Sequence, residues 1–136
     1  MPISDARWLD GVRLAAWALV ILIVAVTLVP IGLRPVVTAN PGIERSAAYA
    51  LAALLMMAGY PRHWLLILTG SVLLAGGLEA AQTLTSTRHG RFDDFAVKAA
   101  AALAGGGVGL ALTGLARRRL TGRCADEPAR EGAARA

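Results

Sequence analysis

The chain has 136 residues, of which 56% are hydrophobic, a formal net charge of +5 and a mean hydropathy of +0.56, well above what a soluble domain of this length carries. Its basic residues gather at the chain ends and in short loops between apolar runs rather than on one stripe, which argues against a nucleic-acid-binding protein and for a membrane protein. The single cysteine, Cys124, excludes an intrachain disulfide and reads as a free cytosolic thiol.

A helix needs about 20 residues to cross a hydrocarbon core of about 30 Å, and the sequence offers four such windows. The first, Leu14 to Leu33, is uncharged, too long for a signal-peptide core and followed by no small-residue cleavage pattern, so it reads as an uncleaved span. Pro30, Gly32 and Pro35 close it. The second begins at Pro41, with Asn40 as N-cap, Pro at the first helical position and Glu44 at the positive end of the helix dipole, and runs to Tyr60. Pro61 and Arg62 turn the chain into a third helix, Trp64 to Thr85, whose one charge is Glu79. A polar link from Ser86 to Asp94 leads to a fourth helix, Phe95 to Ala116, with Lys98 near its start. Residues 117–136 are rich in Ala, Arg and Glu and read as a basic, disordered cytoplasmic tail that anionic lipid attracts; residues 1–13 read as a cytoplasmic N-terminal segment.

Four spans put both termini on one side. That side holds nine Arg (7, 13, 62, 117, 118, 119, 123, 130 and 135) against Arg34, Arg45, Arg88 and Arg91 opposite, so the positive-inside rule places both termini in the cytoplasm and the polar link outside. Trp8, Tyr60 and Trp64 then fall at the cytoplasmic interface, where amphipathic rings are favoured. The fold class expected is all-α, a polytopic membrane protein with four transmembrane helices, multi-pass in the inner membrane.

Charged groups inside spans cost about 2.5–3.5 kcal/mol at mid-helix on insertion scales, which makes Glu79 and Lys98 candidates for a functional site. Glu79 lies roughly 9 Å below the outer end of its helix and Lys98 roughly 6 Å below the start of the next, at 1.5 Å per residue. Each alone would be an uncompensated charge, so an ion pair across the two helices is expected. Gln82 shares the face of Glu79, and Asp94 precedes Lys98 by four residues in the favourable acid-before-base order. Gly76 and Gly77, with Gly105, Gly106, Gly107 and Gly109, permit close approach of these two helices. Three roles fit Glu79, Gln82, Arg88, Arg91, Asp94 and Lys98. They make a polar staple that satisfies buried charges, or an outward pocket in which Arg88, Arg91 and Lys98 bind an anionic headgroup and Glu79 positions them, or a site in which Glu79, His89 and Asp93 do acid-base or metal chemistry. No metal-ligand spacing and no cofactor motif accompanies them. Tyr49, Met56, Met57 and His63 read as packing or interfacial residues.

The order Glu79-x-x-Gln82, Arg88 and Arg91, Asp94, Lys98 and a Gly-rich last helix resembles the VanZ-like family of small membrane proteins, in which Asn is commoner where Lys98 stands. Pro30, Arg34-Pro35, Glu44-Arg45 and Tyr60-Pro61-Arg62 extend the likeness over most of the chain outside its termini, and 14–116 is read as a VanZ-like four-helix transmembrane domain. The family is named for a protein linked to teicoplanin resistance, and other members are associated with envelope or exopolysaccharide functions. The resemblance implies a role at the outer face of the inner membrane. Its partners would be the bilayer and an envelope glycan, a lipid-linked intermediate or an envelope-biosynthesis protein, with nucleic acid excluded. A membrane enzyme acting on a lipid-linked glycan or phosphate is the alternative.

Overall fold

The structure, a computed structural model, describes the backbone of residues 3–29, 41–83 and 92–134, and side chains over 7–29, 42–82 and 92–118. Four helices follow one another: α1 (Ile3–Leu28), α2 (Pro41–Gly59), α3 (Trp64–Thr83) and α4 (Phe92–Ala134), with a 3-10 turn over Pro61–His63 between α2 and α3. Pro41 opens α2 and Pro61 opens the turn, as expected of a residue with fixed φ and no N–H to leave unpaired. The expected cap Asn40, the end of the first apolar run at Leu33 and residues 84–91 lie outside the described residues. The last helix starts three residues before Phe95 and continues past Ala116 to Ala134.

Among the described residues, three helices are long and apolar enough to cross a membrane, over Arg7–Leu28, Pro61–Gln82 and Phe92–Arg118. The chain is therefore a multi-pass α-helical membrane protein, but the expectation of four spans is corrected. α2 has only 19 residues. Glu44, Arg45 and Ser46 occupy its opening turns and Ala and Gly much of the rest, so no full-length window reaches the apolarity of its neighbours. With the fourth span goes the even count that set both termini on the cytoplasmic side.

α2 instead packs most extensively on α4 and then on α1, α3 lies mainly on α4, and α1 and α3 scarcely touch. The interior is made of small side chains: Ala16, Ala52, Ala53, Ala75, Ala99 and Ala102 are buried beside Ile23, Tyr49, Met57 and Leu78. Helices in lipid gain little from excluding water and associate through close van der Waals contact, which small residues permit. The glycines of α4 serve this purpose, toward α3 as the sequence suggested and toward α2 as well: a Cβ at Gly106 would lie 2.6 Å from Leu68 Cδ2 of α3, and one at Gly76 of α3 would lie 3.3 Å from Phe95 of α4. A Cβ at Gly105 would strike the Ala50 carbonyl and come within 2.7 Å of Ala50 Cα, and one at Gly109 would lie 2.8 Å from Met57 Cβ. The approach of backbone to backbone is thus between α4 and α2, the α3–α4 contacts at Gly76 and Gly106 are with side chains, and Gly77 of α3 and Gly107 of α4 face open space. The pairs 50/105 and 57/109 also show that α2 and α4 run parallel.

Hydroxyls within the apolar helices turn back to their own backbone. Thr69 donates to the Leu65 carbonyl at 2.7 Å, Ser71 to Ile67 at 2.7 Å and Thr113 to Gly109 at 3.0 Å, so none carries an unpaired donor into lipid. At the end of α2, Arg13 of α1 donates through Nε to the Gly59 carbonyl at 3.1 Å, which satisfies one of the orphan carbonyls of a helix C-terminus. Its guanidinium also lies 5.0 Å from the Tyr60 ring centroid, a cation–π contact.

Gly105→Leu is expected to destabilise the bundle by at least about 1–3 kcal/mol, the usual range for overpacking, because the obstacle is backbone. Gly107→Leu should leave stability unchanged. Thermal unfolding of both variants in one detergent checks the assignment of the α2–α4 contact.

Candidate functional site

The starts of α2 and α4 and the end of α3 meet at one end of the bundle, and Arg45, Glu79, Asp94 and Lys98 converge there. Lys98 is 3% exposed. Its ammonium lies 2.8 Å from Glu79 Oε2 on α3 and 2.6 Å from Asp94 Oδ2 one turn earlier on α4. Asp94 Oδ2 is in turn 3.8 Å from a terminal nitrogen of Arg45 on α2. The result is an alternating chain, Glu79–Lys98–Asp94–Arg45, that ties three helices together and sums to zero charge.

Exposure rises along that chain. The Lys98 and Glu79 side chains are 3% and 11% exposed, Asp94 is 30% and Arg45 42%. Lys98 is therefore an internal counter-ion, with two of its three N–H donors on carboxylates. Arg45 is at the open end. Among the described residues its one ion pair is at 3.8 Å, beyond hydrogen-bond length, which leaves its five donors largely unspent there.

Local sequence explains each position. Asp93 and Asp94 occupy the first turn of α4, where carboxylates are favoured by the helix dipole, and four-residue spacing stacks Lys98 over Asp94. Gln82, three residues after Glu79, is buried beside it, and both take part in further polar interactions. Glu79 Oε2 is committed to Lys98, which leaves this oxygen poorly placed to act as a general base. Asp93 is exposed and stands outside the chain. Arg88, His89 and Arg91 lie outside the described residues. Among the described residues no three His, Cys, Asp or Glu gather as metal ligands would.

Three further residues belong to this end and were read from the sequence only as helix-start or packing residues. Arg45 is one. Glu44 beside it has a carboxylate oxygen, Oε1, that is shielded from solvent without a hydrogen-bond partner. Tyr49, one turn on, is 4% exposed and lies in the field of Glu79, Asp94 and Arg45. Its hydroxyl has Thr27 of α1 close by, yet the contact falls short of hydrogen-bond geometry. The available signal was Glu44-Arg45 inside an otherwise apolar helix, an anomaly of the same kind as Glu79 and Lys98.

Compared with known proteins, the chain matches no family model, no curated protein and no solved structure, so the VanZ-like resemblance rests on the order of its motifs alone.

Removing one partner of a buried pair leaves the other uncompensated and typically costs about 3–5 kcal/mol. Glu79→Gln and Lys98→Gln should each destabilise by about this much, and the double variant by clearly less than their sum. Additive losses in a double-mutant cycle in detergent would show that the pair contributes no coupling.

Proposed function

We propose that this protein is an inner-membrane accessory or binding protein of the cell envelope, and that the charged end of its helical bundle holds the anionic headgroup of an envelope lipid or lipid-linked intermediate. The observation that carries this reading is the graded charge chain. Lys98 is buried between Glu79 and Asp94, whereas Arg45 reaches the surface with only a loose partner. Phosphate recognition favours a planar guanidinium with paired donors, and Arg45 is the described side chain in the site that can offer it.

In this reading Glu79 and Lys98 do not touch the ligand. They hold α3 against α4 and fix Asp94, whose second role is to aim Arg45. Gln82 supports Glu79 from the same face, and Arg88 and Arg91, in the link next to Asp94, supply further cations toward the same headgroup. The envelope setting is what the VanZ-like motif order suggests. The bilayer itself is the medium through which the ligand arrives, and a headgroup site at the end of a bundle needs no opening through the protein.

Retention of anionic phospholipid by the purified protein, measured by native mass spectrometry from mixed micelles, tests the reading. Arg45→Gln is expected to lower retention about tenfold or more, the worth of a charge-assisted hydrogen-bond pair. Arg62→Gln, in the turn at the opposite end of α2, should not. Equal behaviour of the two variants would reject a headgroup site at Arg45.

A further inference from the structure

Arg45 and Glu44 are consecutive residues, and the two have opposite, complementary deficits. The Arg45 guanidinium is half-exposed with its one carboxylate at 3.8 Å. Glu44 Oε1 is shielded from solvent and accepts no hydrogen bond, although a carboxylate has about four acceptor positions and is costly to leave without donors. A short distance along the same helix, the Tyr49 hydroxyl is buried without a hydrogen bond. Anion donors and orphaned acceptors therefore stand side by side at the start of α2.

From this juxtaposition we infer that the ligand is zwitterionic and carries a primary amine: a phosphoethanolamine-type headgroup whose phosphate lies on Arg45 and whose ammonium donates to Glu44. The inference rests on the headgroup reading above and specifies its chemistry. A simple anion would satisfy Arg45 and bring a second negative charge beside Glu44. A quaternary amine would bring compensating charge without a single N–H. A primary ammonium supplies both the charge and, with three N–H groups, the donors. The two side chains diverge by about 100° around the helix, so the ligand must present its two charges at separate ends. Glu44 as a residue is part-exposed, and rotation about its side-chain torsions carries its oxygen toward the headgroup layer, where the ammonium gives it the donor it lacks inside.

The test uses the full-length protein in mixed micelles containing phosphatidylethanolamine, phosphatidylcholine or phosphatidylglycerol, with lipid retention read by native mass spectrometry. The unaltered protein should retain phosphatidylethanolamine over phosphatidylcholine by about tenfold, as expected for hydrogen bonds to a charged partner. Glu44→Gln should abolish that preference and leave phosphatidylglycerol retention unreduced, and Glu44→Asp should restore part of it. Circular dichroism and size-exclusion profiles of the variants establish that they are folded.

A preference that survives Glu44→Gln, or none in the unaltered protein, overturns the zwitterion inference. If Arg45→Gln still lowers phosphatidylglycerol retention in that case, the headgroup reading stands without it. If Arg45→Gln changes the retention of no lipid, both fall. Soluble phosphoethanolamine that displaces the lipid at micromolar concentration supports the same recognition chemistry borne by a molecule other than a phospholipid.

Discussion

An ammonium group that is 3% exposed on a membrane-spanning helix has to be neutralised by neighbours, because no water reaches it, and most of the architecture at this end of the protein follows from that requirement. One carboxylate comes from the same helix at four-residue spacing. The second, Glu79, comes from the preceding helix and so sets both the azimuth and the vertical register of α3 against α4. A buried ion pair is a poor source of net stability, since desolvation offsets much of the Coulomb gain. Its worth here is specificity: any slip of α3 by one residue turns Glu79 about 100° away and takes from it the ammonium it faces across the two helices.

The second constraint is small-residue packing. Gly105 and Gly109 let α4 lie on the backbone of α2, and Ala52, Ala53 and Met57 fill what remains. That contact brings the starts of α2 and α4 to the same level, and this is why Arg45 meets Asp94. The charge chain and the glycine contact are thus coupled through rigid helices. One fixes α3 on α4, the other α4 on α2, and Arg13 on the Gly59 carbonyl fixes α1 on the far end of α2.

The composition of α2 reflects its position. Packed on α4 and α1, it can carry Glu44 and Arg45 at its opening turns because those turns lie at the polar end of the bundle. The early charges that disqualify it as a span are the ones that place Arg45 on the charge chain.

Much of this was readable from the residues in order. Apolar length offered four windows, of which three qualify as spans and α2 does not; Pro41 and Pro61 mark where helices begin, and the Glu79–Lys98 pair is dictated by two lone charges on helices joined by a short link, which must lie side by side. The sequence could not supply pairing between helices that are not consecutive. α2 and α4 are separated by a whole span, and nothing in local periodicity tells a glycine face which neighbour it will meet. The assignment of the α4 glycines to α3 therefore caught Gly106 but not Gly105 and Gly109, which meet α2, and Arg45 and Tyr49 were not read as site residues. Tertiary structure decided these points because azimuth around a helix is set by all of its neighbours at once, whereas sequence patterning reports only that a face is small, apolar or charged.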